Sequence, residues 1–221
     1  VAMDWPTLVH VTGGVGGLGL GAVALLLRKG SRHHRLAGHL FTRAMVVMAV
    51  PGGAISYAAG KPFDVLSSLV ALYMVISGWA SFRPVPRPGV VLMLSTAVAC
   101  LVGYVTVELY GLASGVRATD APVGAGYVFA VVLALAIVGD CRLVAETYEP
   151  RRARLRHQWR MNLGLFIATG SFFGARPHLF PEWMQTYGIL LALTVAPVLA
   201  MAYWRVKLRT RSRSKRVPVT G

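Results

Sequence analysis

Long uncharged apolar runs recur along this chain, and each is close to the length that an α-helix needs to cross a bilayer. A membrane-spanning helix takes about 20 consecutive apolar residues. Because backbone N–H and C=O groups find no water in lipid, a spanning segment must be a helix or part of a closed barrel. The runs show no alternation of apolar and polar residues, which favours helices. Only 14% of the residues are charged, against about 25% in soluble domains. The sequence therefore predicts an all-α integral membrane bundle.

Seven transmembrane segments are predicted, separated by stretches rich in proline, glycine and arginine. They cover residues 7–27, 39–59, 65–82, 90–112, 123–144, 159–175 and 187–204. The basic stretch 28–48 joins the first two segments and overlaps the start of the second. We expect one seven-helix transmembrane domain over residues 1–205 and a basic cytoplasmic tail over residues 206–221.

Lysine and arginine predict the orientation, because they favour the cytoplasmic side of short membrane loops. Of the 23 lysines and arginines, 20 fall on one side of the seven-segment arrangement and only Lys61, Arg117 and Arg176 on the other. The N-terminus is therefore expected outside and the C-terminus in the cytoplasm of a bacterial inner membrane. The formal charge of +15 is then explained by this bias and by attraction of the loops and tail to anionic lipid head groups. Nucleic acid is not an expected partner.

The first segment contains a row of glycines. Gly13, Gly17 and Gly21 recur every four residues and form one smooth helix face. Such a face allows another helix to approach closely. The covering helix can belong to this chain or to a partner subunit, and the sequence leaves both open.

A few ionisable groups fall at membrane depth, where they are costly. Five of them are predicted to converge near the cytoplasmic ends of the second, fifth and sixth segments: His39, Arg43, Asp140, His157 and Arg160. One interpretation is an ion-pair network in which Arg43 or Arg160 neutralises Asp140. The other is a ligand site in which His39 and His157 bind a metal or a haem, because paired histidines at one depth hold haem iron in membranes.

On the outer side, His10 and Glu108 fall at similar depth and are predicted to meet as a polar pair. A pair of this kind near the membrane surface is typical of a structural contact. We expect no catalytic role for it.

The basic stretch also carries a family resemblance. Arg28-Lys29-Gly30-Ser31, then His34-Arg35, Gly38 and Phe41, follow a glycine-rich first helix, and His157, Trp159 and Met161 come later. These motifs resemble a family of uncharacterised bacterial membrane proteins known as the domain of unknown function 2306. The resemblance implies a polytopic bacterial membrane protein, and it implies no activity and no residue roles.

Three functional classes remain open. The glycine face and the scarcity of buried ionisable groups favour a non-catalytic accessory or structural subunit of a larger membrane complex. The paired histidines favour a haem- or metal-binding redox protein. An echo between His39-x-x-x-Arg43 and His157-x-x-Arg160 favours a small-solute transporter built from parallel three-helix repeats. We predict the first class, with partner subunits in the membrane.

Overall fold

The computed structural model describes residues 4–83, 85–115, 124–145, 149–174, 176–186 and 188–214. Within these ranges the chain forms eight α-helices and no strand. The helices are α1 (Trp5–Leu26), α2 (Arg32–Ala58), α3 (Pro62–Trp79), α4 (Arg87–Ser114), α5 (Ala125–Ala145), α6 (Pro150–Thr169), α7 (Glu182–Thr186) and α8 (Ile189–Ser214). Short 3₁₀ turns lie at Ala80–Phe82 and Pro177–Leu179, and a π-helical turn at Gly170–Gly174 extends α6.

Six of the described helices are long and apolar enough to cross a membrane: α1, α2, α3, α4, α5 and α8. The chain is therefore an all-helical, multi-pass membrane protein. The predicted sixth segment corresponds to α6, which is not among these six. Its first half, Pro-Arg-Arg-Ala-Arg-Leu-Arg-His, is too polar for a lipid-facing span.

Two helices begin well before their predicted starts. α2 begins at Arg32 instead of residue 39, because the Ser31 side chain accepts a hydrogen bond from the His34 N–H at 3.1 Å and caps the first turn. α6 begins at Pro150 instead of residue 159, with a proline in the first turn, where its missing N–H costs nothing. The connector between α1 and α2 is correspondingly short and turns at Gly30, which has a φ of 81°. The predicted helix ends at residues 123, 175 and 187 lie outside the described residues.

The helices pack mainly as sequential neighbours. α1 lies along α2, α2 along α3, and α4 along α5, while α3 and α8 both pack against α6. The core between them consists of large apolar side chains that are fully or almost fully buried, including Met45, Val70, Met74, Tyr104 and Leu133. Pro51 and Pro197 lie inside α2 and α8.

The helix α6 is exposed and polar at its start and packs against other helices further along. It contacts α1, α3 and α8 and buries arginine and asparagine side chains as well as apolar ones. Its approach to α3 is close, because a β-carbon at Gly164 would come within van der Waals overlap of Val75. Apart from Ala153, residues 150–154 are exposed, whereas most of the buried residues of α6 follow from Arg156 onward. Packing of this inner part against protein, instead of lipid, makes its buried polar side chains compatible with their position.

The outward-facing surface is strongly apolar. Large aliphatic side chains are exposed along several helices, for example Leu92 and Leu112 on α4, Leu135 on α5 and Leu199 on α8. On a soluble domain, an apolar surface of this extent would be an association site. On a membrane protein it is the surface that faces hydrocarbon.

Candidate functional site

A buried carboxylate forms the centre of a polar cluster between α3, α5 and α6. Asp140 lies near the end of α5 and is only 3% exposed. Arg156 and Arg160 are four residues apart on α6, so they project from one face of that helix toward Asp140. Tyr73 and Ser77 occupy neighbouring turns of α3 and complete the cluster. We call these five residues the Asp140 cluster.

Asp140 accepts hydrogen bonds from three side chains of the Asp140 cluster. Its Oδ1 accepts from Arg156 Nε at 3.0 Å, from Arg156 Nη2 at 2.8 Å and from Arg160 Nη2 at 2.7 Å. Its Oδ2 accepts from the Tyr73 hydroxyl at 2.6 Å. Charge-assisted bonds of this length are among the strong hydrogen bonds of proteins, so three helices are tied together at one carboxylate.

The two guanidinium groups carry two positive charges against the single negative charge of Asp140. Other acceptors bind the N–H groups that Asp140 does not. Arg156 Nη1 donates to the Ser77 carbonyl at 2.7 Å, and Arg160 Nη2 donates to the Ala136 carbonyl at 2.9 Å. Arg160 Nη1 also donates to the Ser77 hydroxyl. The Arg160 guanidinium lies 5.1 Å from the centre of the Tyr73 ring, within cation–π range. Because these groups bind one another across three helices, the arrangement of the cluster is typical of a structural contact.

Two of the five residues predicted for the cytoplasmic cluster, Asp140 and Arg160, meet in the structure. Arg160 is one of the two arginines predicted to neutralise Asp140, and the other, Arg43, is exposed on α2 and makes no ion pair among the described residues. The second arginine that forms an ion pair with Asp140 is Arg156. Its spacing of four from Arg160 was a signal in the sequence, although the sequence did not identify the carboxylate they share.

His39 belongs to a separate contact at the end of α3. Its Nδ1 accepts a hydrogen bond from Trp79 Nε1 at 2.9 Å. An indole nitrogen can only donate, so Nδ1 of His39 carries the lone pair in this contact. The same Trp79 side chain also contacts Arg83, whose guanidinium lies 3.7 Å from the centre of the indole ring. These contacts attach α2 to the end of α3.

His157 lies beside His34 and not in contact with His39. The ring centroids of His34 and His157 are 6.5 Å apart, and the ring planes are inclined at 82°. The Phe82 ring packs against His157 with centroids 5.2 Å apart. His34 was not among the predicted site residues, and the separation of 123 positions in the chain gave no signal for this pairing.

Lys29 connects the end of α1 with α8 near these histidines. Its Nζ donates to the carbonyls of Ala24 and Leu25 at 2.9 and 2.7 Å, and it lies 4.9 Å from the centre of the Trp204 ring. A lysine near the last carbonyls of a helix satisfies acceptors that the helix leaves open. Partial burial lowers the pKa of the Lys29 ammonium to about 8.

The glycine face of α1 is covered from within the chain. Gly13, Gly17 and Gly21 are buried. A β-carbon on Gly13 would lie 2.7 Å from the Met48 backbone nitrogen on α2, and one on Gly21 would lie 2.6 Å from a Leu165 methyl group on α6. The absence of side chains on this face therefore lets α1 pack directly on the α2 backbone.

The predicted outer pair is not in contact. His10 Nδ1 bonds to the Met48 carbonyl at 2.7 Å, between α1 and α2. Glu108 Oε1 accepts from the Gly126 N–H at 2.7 Å and so caps the start of α5 from α4. Each residue joins a different helix pair, and no hydrogen bond connects the two within the described part of the chain.

Comparison with protein-family models, curated proteins and solved structures finds no match for this chain. The similarity to the domain of unknown function 2306 therefore stays a prediction from short motifs. What the sites do must be argued from their own geometry.

Proposed function

We propose that the chain crosses a bacterial inner membrane seven times, with α6 as the sixth span, the N-terminus outside and the C-terminus in the cytoplasm. Contacts of α6 with α5 and α8 support this arrangement. Arg156 near the start of α6 reaches Asp140 near the end of α5. Gln158, two residues further along α6, donates to the Met201 carbonyl in the middle of α8, and Thr169 at the end of α6 donates to the Thr194 carbonyl nearer the start of α8. Later residues of α6 thus meet earlier residues of α8, so the two helices run in opposite directions, as expected for the sixth and seventh spans.

The distribution of charge supports the orientation. Lys29 follows α1 and contacts Trp204 near the end of the apolar part of α8, Ile189–Lys207, so the basic connector and the basic C-terminal segment lie on the same side. That side is cytoplasmic under the positive-inside rule. α8 continues to Ser214, through the predicted boundary at residue 205, and residues 215–221 lie outside the described part. The basic end of α8 and the α1–α2 connector would contact anionic lipid head groups.

Cysteine labelling tests the orientation. In a chain whose own Cys100 and Cys141 are replaced by alanine, Ser31→Cys should react with a membrane-impermeant thiol reagent only from the cytoplasmic side. Thr119→Cys, at a position outside the described residues, should react only from the other side. Labelling of both positions from the same side would contradict seven spans.

Within this topology, the chain is best explained as a non-catalytic accessory or structural subunit of a larger membrane complex. The observation that carries the proposal is Arg43. It is exposed on α2, and the described residues offer it no ion pair. It follows His39, which contacts the last residue of α3, by one helical turn or about 6 Å. An arginine on the outside of a bundle at this depth is costly in lipid, and a carboxylate on a partner subunit would remove the cost.

The Asp140 cluster supports the same class of function. Its carboxylate and both arginines bond to one another and to backbone carbonyls of the same chain. Such groups hold helices in register, and they offer no unoccupied base or nucleophile. The cluster would keep the bundle rigid while the surface around Arg43 meets the partner.

Native size in mild detergent tests the proposal. The chain alone is 23.7 kDa, and it should migrate in a substantially larger assembly when extracted from its own membrane. Arg43→Gln should release it as a folded single chain, whereas Arg43→Lys should retain part of the assembly. Arg87→Gln, at an exposed position at the start of α4, is the matched control and should change nothing.

The result that would overturn the proposal is a wild-type chain that is monomeric under every mild extraction condition. An assembly that contains only copies of this chain would also count against an accessory role. Equal assembly of the Arg43→Gln and wild-type chains would remove Arg43 as the attachment point.

A further inference from the structure

Four helices meet around the rings of His34 and His157. His34 belongs to the first turn of α2, and its Nδ1 bonds to the Ala24 carbonyl on α1 at 3.1 Å. His157 belongs to α6, and its Nδ1 bonds to the Gly78 carbonyl on α3 at 3.0 Å. Both rings are partly buried, and each is anchored through one nitrogen to a different helix.

The two anchors fix the tautomer of each ring. A carbonyl oxygen can only accept, so each Nδ1 must carry its hydrogen. In the neutral imidazole the lone pair then lies on Nε2. No described residue forms a hydrogen bond with Nε2 of His34 or of His157. An imidazole that donates Nδ1–H to a backbone carbonyl and leaves Nε2 open has the arrangement found in metal-ligating histidines.

We propose that His34 and His157 bind one metal centre through their Nε2 atoms, as ligands on opposite sides of a Cu(I) ion or of a haem iron. A metal–imidazole bond of about 2.0–2.1 Å puts the metal roughly 3 Å from each ring centroid, so two opposite rings lie about 6 Å apart. The observed centroid separation is 6.5 Å, with the planes at 82°. The two rings are thus already spaced for a centre between them, and the Phe82 ring supplies an apolar wall beside His157.

The number of available protein ligands and the positive charge of Lys29 limit which metal centre fits between the two histidines. Among the described residues no group of three or more histidine, cysteine, aspartate or glutamate side chains is arranged to hold a metal ion, so a four-ligand zinc site is not available. Lys29 lies beside this site, because its Nζ and the Nδ1 of His34 both donate to the Ala24 carbonyl. A nearby ammonium opposes a bare dication more than it opposes a monovalent ion or an iron whose charge a porphyrin has already reduced. Two imidazoles and low net charge are what Cu(I) and haem have in common.

His39 provides a matched control on the same helix. It lies five residues after His34, but its Nδ1 lone pair already accepts from Trp79. Its second nitrogen therefore carries the hydrogen in the neutral ring and cannot bind a metal without losing it. Substitution of His39 should leave metal binding intact while it disturbs the neighbouring α2–α3 contact.

Two probes distinguish the two centres in the purified full-length chain. Anaerobic titration against a chromophoric Cu(I) chelator reports copper binding, and addition of haemin followed by a visible spectrum reports a haem with two nitrogen ligands. We expect one equivalent of one of these probes per chain, and no comparable binding of Zn(II). The binding should be lost in His34→Gln and in His157→Gln and retained in His39→Gln.

Elution as a single folded species is checked for every variant, and if His157→Gln fails to fold, His34→Gln alone decides. Stoichiometric Cu(I) binding that depends on both histidines supports the ion, and a histidine-dependent Soret shift supports the haem. If the wild-type chain binds neither Cu(I) nor haem, the proposal is overturned. Binding that persists in the His34→Gln chain overturns it as well.

Discussion

Neutralising Asp140 without changing its shape should be among the most damaging single substitutions in this chain. Asp140→Asn removes the one negative charge that faces the buried Arg156 and Arg160. Breaking a buried ion pair by removing one partner costs about 3–5 kcal/mol, because the remaining charge is left without compensation. Here two guanidinium groups lose their partner, and cation–π contact and backbone carbonyls offset only part of the loss. We therefore expect a loss in the free energy of unfolding of at least about 3 kcal/mol.

Tyr73→Phe is the matched comparison within the same cluster. It removes one hydrogen bond to the carboxylate and leaves both ion pairs intact, so the expected cost is about 1.5–3 kcal/mol. Replacing the whole network, with Asp140→Leu, Arg156→Met and Arg160→Met together, should recover much of the stability lost in Asp140→Asn. Apolar residues of similar volume often substitute for a buried ionic network at little cost.

The assay is unfolding in mixed micelles with rising denaturing detergent, followed by tryptophan fluorescence from the five tryptophans. The order of stability should be wild type, then Tyr73→Phe, then Asp140→Asn. If Asp140→Asn unfolds within about 1 kcal/mol of the wild type, the reasoning about uncompensated buried charge is wrong for this site. An apolar triple variant less stable than Asp140→Asn would also refute it.

Three further outcomes follow from other contacts. Gly13→Ala should destabilise the fold, because its β-carbon meets the α2 backbone, whereas Gly19→Ala, with nothing within 4 Å, should be neutral or slightly stabilising in the same unfolding assay. With a pKa of about 8, about half of the Lys29 amine is neutral at pH 8, against under about 1% for an ordinary lysine, so amine acylation of Lys29 should be faster in the folded than in the denatured chain. An unchanged rate would show that the two carbonyl hydrogen bonds keep the amine charged. Glu108→Ala should cost about 0.5–2 kcal/mol of stability by uncapping α5 at Gly126, and Glu108→Gln, which keeps an acceptor oxygen, should cost less; equal losses would contradict a capping role.

For the candidate sites, the sequence predicted which residues lie at similar depth but not which of them are in contact. The sequence identified Asp140 and Arg160 as groups that need a partner at membrane depth, and they meet. It also selected Arg43, which is exposed, and His39, which bonds to Trp79. All four sit at similar predicted depth, and depth follows from counting along a helix. Which face of each helix turns inward does not follow from depth, so the sequence could not separate the residues that meet from those that do not.

The sequence by itself determined the long apolar helices, because in lipid each span must satisfy its own backbone hydrogen bonds, and that requirement is local. It also determined the strong bias of basic residues, from which the proposed orientation derives. The tertiary structure alone decided that the inner part of α6, a helix too polar for a lipid-facing span, packs against α1, α3 and α8 and buries Arg156 and Arg160. It alone decided that Arg156 reaches Asp140 and that His34 lies beside His157. Those pairings depend on how distant helices rotate and pack against one another, and the close approach of helices at Gly13, Gly21 and Gly164 sets that packing.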